Sequence, residues 1–199
     1  MSSPLTFLFY GRSGAGKGTQ AKLLKEYLEQ HTNRGVLYVE TGNGLRDLAS
    51  KDKYLTGRMA NEIISEGGLF PVFLPIWVWT NAFVKHFTGE EHVILDGLAR
   101  RVPEVQVLDS ALAFYGMENP YLFHIDVSRE RAFEMLKGRG RPDDTDESIN
   151  ERLDWFEENV QNAMNAFRDL PRYNFVDING EQTIEEVHKE ILAAIKELQ

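Results

Sequence analysis

Cysteine is absent from the 199 residues, which excludes disulfide bonds, thiol catalysis and cysteine-ligated zinc. Positive charge is scarce: 22 lysines and arginines against 31 acidic residues give a formal net charge of −9. So acidic a chain is poorly suited to binding nucleic acid or anionic membranes non-specifically. An anionic ligand must therefore meet a local cluster of basic side chains.

Long hydrophobic runs are also scarce. The longest uncharged stretch, residues 67–84, reaches the lower bound for a transmembrane helix but contains two prolines and a glycine pair. We expect it to form a buried or groove-lining helix. Residues 1–6 have no basic region of the kind that opens a signal peptide. We therefore expect a cytoplasmic protein without a membrane or nucleic-acid partner.

Short apolar runs alternate with segments of helical periodicity along the chain. The predicted strands are residues 4–10, 36–40, 92–96, 121–127 and 173–178. A long helix is predicted over residues 144–170, with Asp144 and Glu147 as a capping box. The last predicted helix, 183–198, carries Ile184, Val187, Ile191, Ile195 and Leu198 on one face. The alternation predicts an α/β fold whose mostly parallel sheet is covered by helices on both faces.

Ligands of such sheets bind at the carboxyl ends of the strands, and a glycine-rich segment follows the first predicted strand. Residues 11–20 read GRSGAGKGTQ and open a predicted helix, which is the context of a phosphate-binding loop. Glycines let successive N–H groups turn toward phosphate oxygens, and Lys17 adds a full positive charge. Gly18 occupies the position directly after the lysine, where the general pattern has Ser or Thr, and Thr19 comes one residue later.

Four motifs together resemble the adenylate kinase family of nucleoside monophosphate (NMP) kinases. GKGTQ in the phosphate loop is that family's variant. TGNGLR at 41–46 resembles its TGDMLR segment, and DGLAR at 96–100 resembles DGFPR. RPDDTDESINERL at 141–153 resembles an R-x-DD segment followed by an arginine and a leucine. The motifs occur in family order and cover nearly the whole chain.

This resemblance implies a three-layer P-loop NTPase fold with a five-stranded parallel sheet in a single domain, 1–199. It implies an NMP-binding insertion at 41–70 and a short lid at 138–144, which lacks room for a zinc-binding lid. It implies a monomer that uses Mg²⁺ with ATP and no zinc. The activity implied is transfer of the γ-phosphoryl group of Mg-ATP to an NMP.

Such a transfer needs several cations but no general base, because the accepting phosphate oxygen is already ionised. Arginine suits this work, since its planar guanidinium binds phosphate through two hydrogen bonds. We expect AMP as the acceptor. The alternatives are GMP, CMP or UMP, a P-loop kinase of another small molecule, and a P-loop nucleotide-binding protein without this activity.

The resemblance also assigns roles to individual residues. The implied catalytic residues are Lys17, Arg100, Arg139, Arg141 and Arg152. The implied ATP-binding residues are Gly14, Ala15, Gly16, Lys17, Gly18, Thr19, Arg139 and Gly180. The implied NMP-binding residues are Thr41, Gly42, Arg46, Gly68, Leu69, Phe70, Gly97, Arg100, Glu104, Arg141 and Arg152. Asp96 is expected to hold Mg²⁺ through water, and Asp143 and Asp144 are expected to pair with lid arginines.

Four residues depart from the family pattern. Glu104 stands where the family has a glutamine that contacts the acceptor base, so it is either a base-reading residue or simply an acid in the first turn of a helix. Met135 stands where many relatives have an arginine over the donor base. Ala99 and Arg101 replace a proline and a small polar residue. Arg101 is expected either beside the acceptor phosphate or in solvent.

Overall fold

The computed structural model of the chain describes residues 3–51, 53–65, 68–140 and 144–198. Its strands are β1 (Thr6–Tyr10), β2 (Val36–Glu40), β3 (His92–Asp96), β4 (Tyr121–Asp126) and β5 (Asn174–Asn179). Its α-helices are α1 (Lys17–His31), α2 (Thr41–Lys51), α3 (Leu55–Ser65), α4 (Phe73–His86), α5 (Val102–Phe114), α6 (Arg129–Arg139), α7 (Asp146–Trp155), α8 (Gln161–Arg168) and α9 (Ile184–Ala194). A π-helical segment, Phe156–Val160, joins α7 to α8, and a 3₁₀ turn, Lys196–Leu198, follows α9.

The five strands form one parallel sheet in the order β2-β3-β1-β4-β5. In its register Asp96, at the end of β3, lies between Glu40 of β2 and Phe9 of β1. Tyr10, at the end of β1, pairs with His124 of β4. The carboxyl ends of all strands therefore meet at one edge, and the predicted five-stranded parallel sheet is confirmed.

Helices cover both faces of the sheet, as predicted. One core lies against α4, α5 and α8 and includes the buried side chains of Trp79, Phe83, Leu108 and Phe167. The other lies against α1, α6, α7 and α9 and includes Leu24, Leu136, Leu153 and Ile191. All five residues of β1 are buried, because apolar side chains project to both faces of a sheet that is covered on both sides.

From Phe73 onward the uncharged stretch forms α4, a helix of 14 residues that ends at His86. Trp79 is fully buried in it, whereas Trp77 is half exposed. In the part of the chain that the structure describes, no helix combines the length and the apolarity needed to cross a bilayer.

The capping box predicted at Asp144 is wrong. Helix α7 begins two residues later, and Thr145 is its N-cap, with a side chain that accepts from the backbone N–H of Ser148 at 3.2 Å. Asp144 instead binds arginine side chains, which compete for its carboxylate. The long helix predicted over 144–170 is also interrupted by the π-helical segment.

The last helix is shorter than predicted. It ends at Ala194, and a capping box of Thr183 and Glu186 fixes its start. Val187, Ile191 and Ile195 are buried as predicted, but Ile184 is 50% exposed because the first turn projects beyond the core.

Candidate functional site

The glycines of the phosphate loop have backbone conformations that other residues rarely adopt. Gly14 has φ +90°, and Gly16, which precedes α1, has φ +84°. A Cβ at Gly14 would lie 2.6 Å from the carbonyl oxygen of Ala132, so this close approach also requires glycine. The loop thus leads directly into the N-terminus of α1, where free N–H groups favour anions.

Lys17 points back into this loop. Its Nζ donates to the carbonyl oxygens of Gly11 at 2.9 Å and Arg12 at 2.8 Å. The ammonium group is therefore held over the loop by backbone oxygens.

Three further charged side chains surround Lys17. The pKa of Lys17 is lowered to about 8, chiefly by burial and then by the positive charges of Arg100 and Arg139, while the negative charge of Asp96 opposes the shift. Electrostatic influence of this kind requires proximity. The structure thus brings together Lys17, Arg100, Arg139 and Asp96, which come from three separate segments of the chain.

The other implied ATP-binding residues lie around the loop. Ala15 is buried and its N–H donates to Arg12 O at 3.1 Å, while Thr19 is exposed in the first turn of α1. Gly180 directly follows β5, and its N–H donates to Asp126 O at 2.8 Å. A Cβ at Gly180 would lie 2.5 Å from Val127, so the chain passes too close here for a side chain.

Asp96 ends β3 beside the phosphate loop and is 8% exposed. A Cβ at Gly18 would lie 3.2 Å from its Oδ2, which also accepts from the Tyr38 hydroxyl at 2.9 Å. Burial and the Asp96 charge raise the pKa of Tyr38, so the phenol remains a donor. Within the described ranges no three acidic or histidine side chains are grouped to hold a metal ion. One carboxylate beside a phosphate cradle fits Mg²⁺, which retains water and takes further ligands from phosphates.

The loop after β3 places Arg100. Gly97 has φ +71°, and the Arg100 guanidinium lies against it so closely that a Cβ there would be 2.3 Å from Nη2. Ala99 is buried with φ +48°, a left-handed conformation that costs an L-residue about 1–2 kcal/mol. This φ also excludes proline, whose ring holds φ near −65°.

Glu104 lies in the first turn of α5 and is 3% exposed. Its Oε2 accepts from the backbone N–H of Arg100 at 3.2 Å. Burial raises the pKa of this carboxyl, and the Arg100 N–H and the charge of Arg101 oppose that shift. Glu104 is thus both a helix-start acid and a contact of the Arg100 loop.

A second arginine stands near the end of β2. Arg46 Nη2 lies 3.3 Å from Glu40 Oε1 and also donates to Asn43 Oδ1, and its guanidinium adjoins Gly42. Thr41 is 5% exposed, and its hydroxyl has no hydrogen-bond partner among the residues that the structure describes. Such an unpaired buried hydroxyl is suited to a ligand.

The segment 68–70 lies between α3 and α4. Gly68 N–H donates to Ile63 O at 2.8 Å, and Leu69 is 56% exposed. Phe70 O accepts from Arg101 Nη1 at 2.9 Å, and the Arg101 guanidinium also lies 5.5 Å from the Trp155 ring centroid. A backbone carbonyl and an aromatic face thus hold Arg101, which is only partly exposed and does not simply face solvent. Its expected place beside the acceptor phosphate stays a prediction.

Two lid arginines share one carboxylate. Asp144 Oδ1 lies 2.8 Å from Arg139 Nη2 and 2.7 Å from Arg152 Nη2, and only 3% of the Asp144 side chain is exposed. Burial opposes its ionisation, but the hydrogen bonds from both guanidinium groups lower the pKa of Asp144 to about 2. The predicted pairing of Asp144 with lid arginines is observed. Arg141 and Asp143 lie outside the described residues.

Sequence reasoning missed two tyrosines at this edge. Tyr10 and Tyr38 each present a hydroxyl to a neighbouring segment, Tyr10 to Leu98 O and Ala99 O and Tyr38 to Asp96. A tyrosine in an apolar strand indicates a hydrogen bond to another segment, because buried tyrosine hydroxyls need partners. The partner itself is not visible in the sequence.

Comparison with known proteins agrees with this geometry. The family model described as adenylate kinase matches residues 9–170. An adenylate kinase of Campylobacter hominis is 34% identical over 191 residues, covering 95% of this chain and 94% of the relative. Adenylate kinase 1 of a Nostoc species is 30% identical over 94% of this chain and 97% of the relative. An adenylate kinase of Prochlorococcus marinus is 30% identical, with 92% and 94% covered. The chain belongs to the adenylate kinase family of ATP-dependent nucleoside monophosphate kinases.

Proposed function

We propose that the chain transfers the γ-phosphoryl group of Mg-ATP to AMP and forms two ADP. The observation that carries this proposal is the convergence of Lys17, Arg100, Arg139 and Asp96 at the carboxyl edge of the sheet. A site with three cations and one carboxylate matches a polyphosphate, a monophosphate and a divalent cation. The names of the related proteins support the choice of AMP.

ATP binds over the phosphate loop in this proposal. The loop N–H groups of residues 14–19 cradle the phosphates, and Lys17 leaves its two carbonyl partners to bind the transferring group. Gly180, which lacks a side chain and packs closely against Val127 after the end of β5, lies on the donor side in this proposal. Asp96 orients the water shell of Mg²⁺, and the ion, when bound, neutralises phosphate charge.

The monophosphate binds on the other side of Lys17. Arg46 and Arg100 hold its phosphate, and the unpaired hydroxyl of Thr41 lies at the same edge. Gly42, Gly68, Leu69, Phe70 and Gly97 line the acceptor side. Glu104 faces the acceptor base in this proposal, where a carboxylate accepts but does not donate.

Phosphoryl transfer then depends on charge and alignment. Arg139, Arg141 and Arg152 move with the short lid, 138–144, and stabilise the transferring phosphoryl group. To do so, Arg139 and Arg152 turn part of their hydrogen bonding from Asp144 to phosphate oxygens. Closure of the segments 41–70 and 138–144 excludes water, which prevents hydrolysis of ATP.

The proposed protein is a single-domain cytoplasmic monomer with neither a nucleic acid nor a membrane as partner. Its net charge of −9 supports the absence of nucleic acid and membrane partners, because polyanions repel such a surface. Size-exclusion chromatography with light scattering measures the assembly state with and without nucleotides.

A diphosphate-release panel tests the proposed function. The purified chain is incubated with Mg-ATP and separately with AMP, GMP, CMP, UMP or dTMP, and the nucleoside diphosphates are quantified. We expect the highest kcat/KM with AMP. A higher value with GMP, CMP or UMP would identify a different acceptor. Binding of ATP without turnover of any monophosphate would contradict the proposal and favour a non-catalytic nucleotide-binding protein.

A further inference from the structure

The backbone that carries Arg100 has a strained residue in a place where the related family has proline. Ala99 has φ +48° and is almost completely buried. Alanine lacks both the freedom of glycine and the polar side chain with which asparagine stabilises this conformation. Residues held in such conformations depend on surrounding contacts and concentrate at functional sites.

The contact that holds Ala99 comes from the end of β1. The Tyr10 hydroxyl lies 2.5 Å from Leu98 O and 3.0 Å from Ala99 O, so two consecutive carbonyl oxygens converge on one donor. On the other side of the loop, Glu104 accepts from Arg100 N–H at 3.2 Å. The peptide groups on both sides of Ala99 are therefore fixed by buried side chains.

Tyr10 is itself firmly placed. It is 2% exposed, and its ring meets the edge of Phe167 with centroids 5.6 Å apart. Burial raises the pKa of its phenol, and the negative charge of Glu104 raises it further. Both effects favour the protonated hydroxyl, which therefore acts as a hydrogen-bond donor.

We propose that Tyr10 is a positioning residue that aims Arg100 at the acceptor phosphate by holding Ala99 in its left-handed conformation. This inference rests on the proposed function of Arg100 as a monophosphate-binding residue. Because Tyr10 directly precedes Gly11 of the phosphate loop, one strand end fixes both the donor cradle and the acceptor loop. The hydroxyl thus sets the distance between the two phosphate-binding sides.

Three variants test this role. Tyr10→Phe removes only the hydroxyl. Tyr173→Phe is the matched control, since Tyr173 is also buried in the same core but donates to Asp109 Oδ1 at 3.0 Å. Ala99→Gly in the Tyr10→Phe background is the rescue variant, because glycine adopts a positive φ without steric cost.

Steady-state kinetics and equilibrium AMP binding are measured for each protein. We expect Tyr10→Phe to raise KM and Kd for AMP about three- to tenfold, the usual effect of one hydrogen bond, with KM for ATP within about twofold. Tyr173→Phe should lower Tm without changing either KM. Ala99→Gly should recover at least half of the lost AMP affinity on a logarithmic scale. Equal changes in both KM values, no change in either, or absence of rescue would overturn the proposal.

Amide hydrogen exchange separates this inference from the proposed function. We expect exchange at Leu98–Arg100 to be about tenfold faster in Tyr10→Phe than in the unmodified chain and unchanged in Tyr173→Phe. If the unmodified chain phosphorylates no monophosphate, the proposed function fails. In that case exchange still decides whether Tyr10 holds the loop. Unchanged exchange in Tyr10→Phe would overturn its positioning role whatever the activity.

Discussion

The proposed donor and acceptor sides of the site would both bind phosphate but are built in different ways. The donor cradle comes from one contiguous segment, 11–20, in which glycines set the backbone and Lys17 binds carbonyl oxygens only five and six residues away. The acceptor side joins segments near residues 41, 70 and 96–104, and its backbone is held by side chains from elsewhere. Tyr10 reaches Leu98 across 88 residues.

If these assignments hold, the donor side depends mainly on local backbone geometry, whereas the acceptor side depends on tertiary support. N–H groups at a helix N-terminus are supplied by the helix itself. A guanidinium on a loop reaches its target only if the loop is held, as Tyr10 and Glu104 hold Arg100. Substitutions on the donor side should therefore have different effects from substitutions on the acceptor side.

The largest effect is expected from Lys17→Met. Loss of the ammonium group that binds the transferring phosphate should lower kcat by about 10³-fold or more, with the fold intact. Single-turnover kinetics and circular dichroism check this. Lys25→Met is the matched control, because Lys25 lies on the same helix and pairs with Glu29 at the surface. Near-normal turnover of Lys17→Met would contradict the phosphate-loop assignment.

Arg100→Ala should affect binding on the acceptor side far more than binding on the donor side. Loss of a phosphate contact from a water-poor site should weaken AMP binding by on the order of 2–4 kcal/mol, roughly 30- to 1000-fold. ATP binding should change far less, and calorimetry with each nucleotide measures both. Arg34→Ala serves as control, since Arg34 precedes β2 at the opposite edge and donates to Glu90 O. Equal losses for both nucleotides would show that Arg100 does not belong to the acceptor side.

Glu104→Gln tests how the acceptor side reads its base. Glutamine still accepts from Arg100 N–H, but its amide also donates, which suits adenine N1. A carboxylate only accepts, which suits the N–H groups of guanine. The ratio of kcat/KM for AMP to kcat/KM for GMP should therefore rise roughly 5- to 30-fold, which corresponds to about 1–2 kcal/mol. An unchanged ratio would identify Glu104 as a helix-start residue without a role in base selection.

Stability provides a second readout for the same substitution. Burial raises the pKa of Glu104 above its unfolded value. The stability linked to its protonated form is complete below the unfolded pKa and is lost as pH rises through the folded pKa. Glutamine does not ionise, so Glu104→Gln should unfold at a Tm no lower than that of the unmodified chain at pH 7. Glu91→Gln is a control, since Glu91 accepts hydrogen bonds from Thr88 far from the site.

The smallest effect is expected at the lid. The folded pKa of Asp144, about 2, lies below its unfolded value, so its stabilisation is present above about pH 4 and lost as pH falls toward 2. Asp144→Asn should lower the free energy of unfolding at pH 7 by on the order of 1 kcal/mol, because both arginines are partly open to solvent. The difference should vanish near pH 2 in denaturant titrations.

Asp47→Asn is the control for this last prediction. Asp47 pairs with Lys51 on an exposed helix face, where an ion pair contributes little. A pH-independent loss in Asp144→Asn would contradict ionic pairing as the source of its stabilisation.

Patterns within one segment predicted most of the fold. The five strands, the phosphate loop and the parallel sheet follow from apolar runs, glycine spacing and alternation, which depend on neighbouring residues. The capping box at Asp144 was predicted wrongly because Thr145 is an equally good cap and two arginines from other segments bind Asp144. Ile184 was assigned to the core because periodicity does not reveal where a core ends.

The sequence by itself determined that the protein has a phosphate cradle, a parallel sheet and arginines in motifs that resemble those of one kinase family. The tertiary structure alone decided which of those charges meet, since Lys17, Asp96, Arg100 and Arg139 are joined only by strand order and register. It also decided that Arg101 packs on Trp155 and that Tyr10 holds Ala99. The physical reason is that hydrogen bonds and charges act over a few ångströms in space, whatever the separation along the chain.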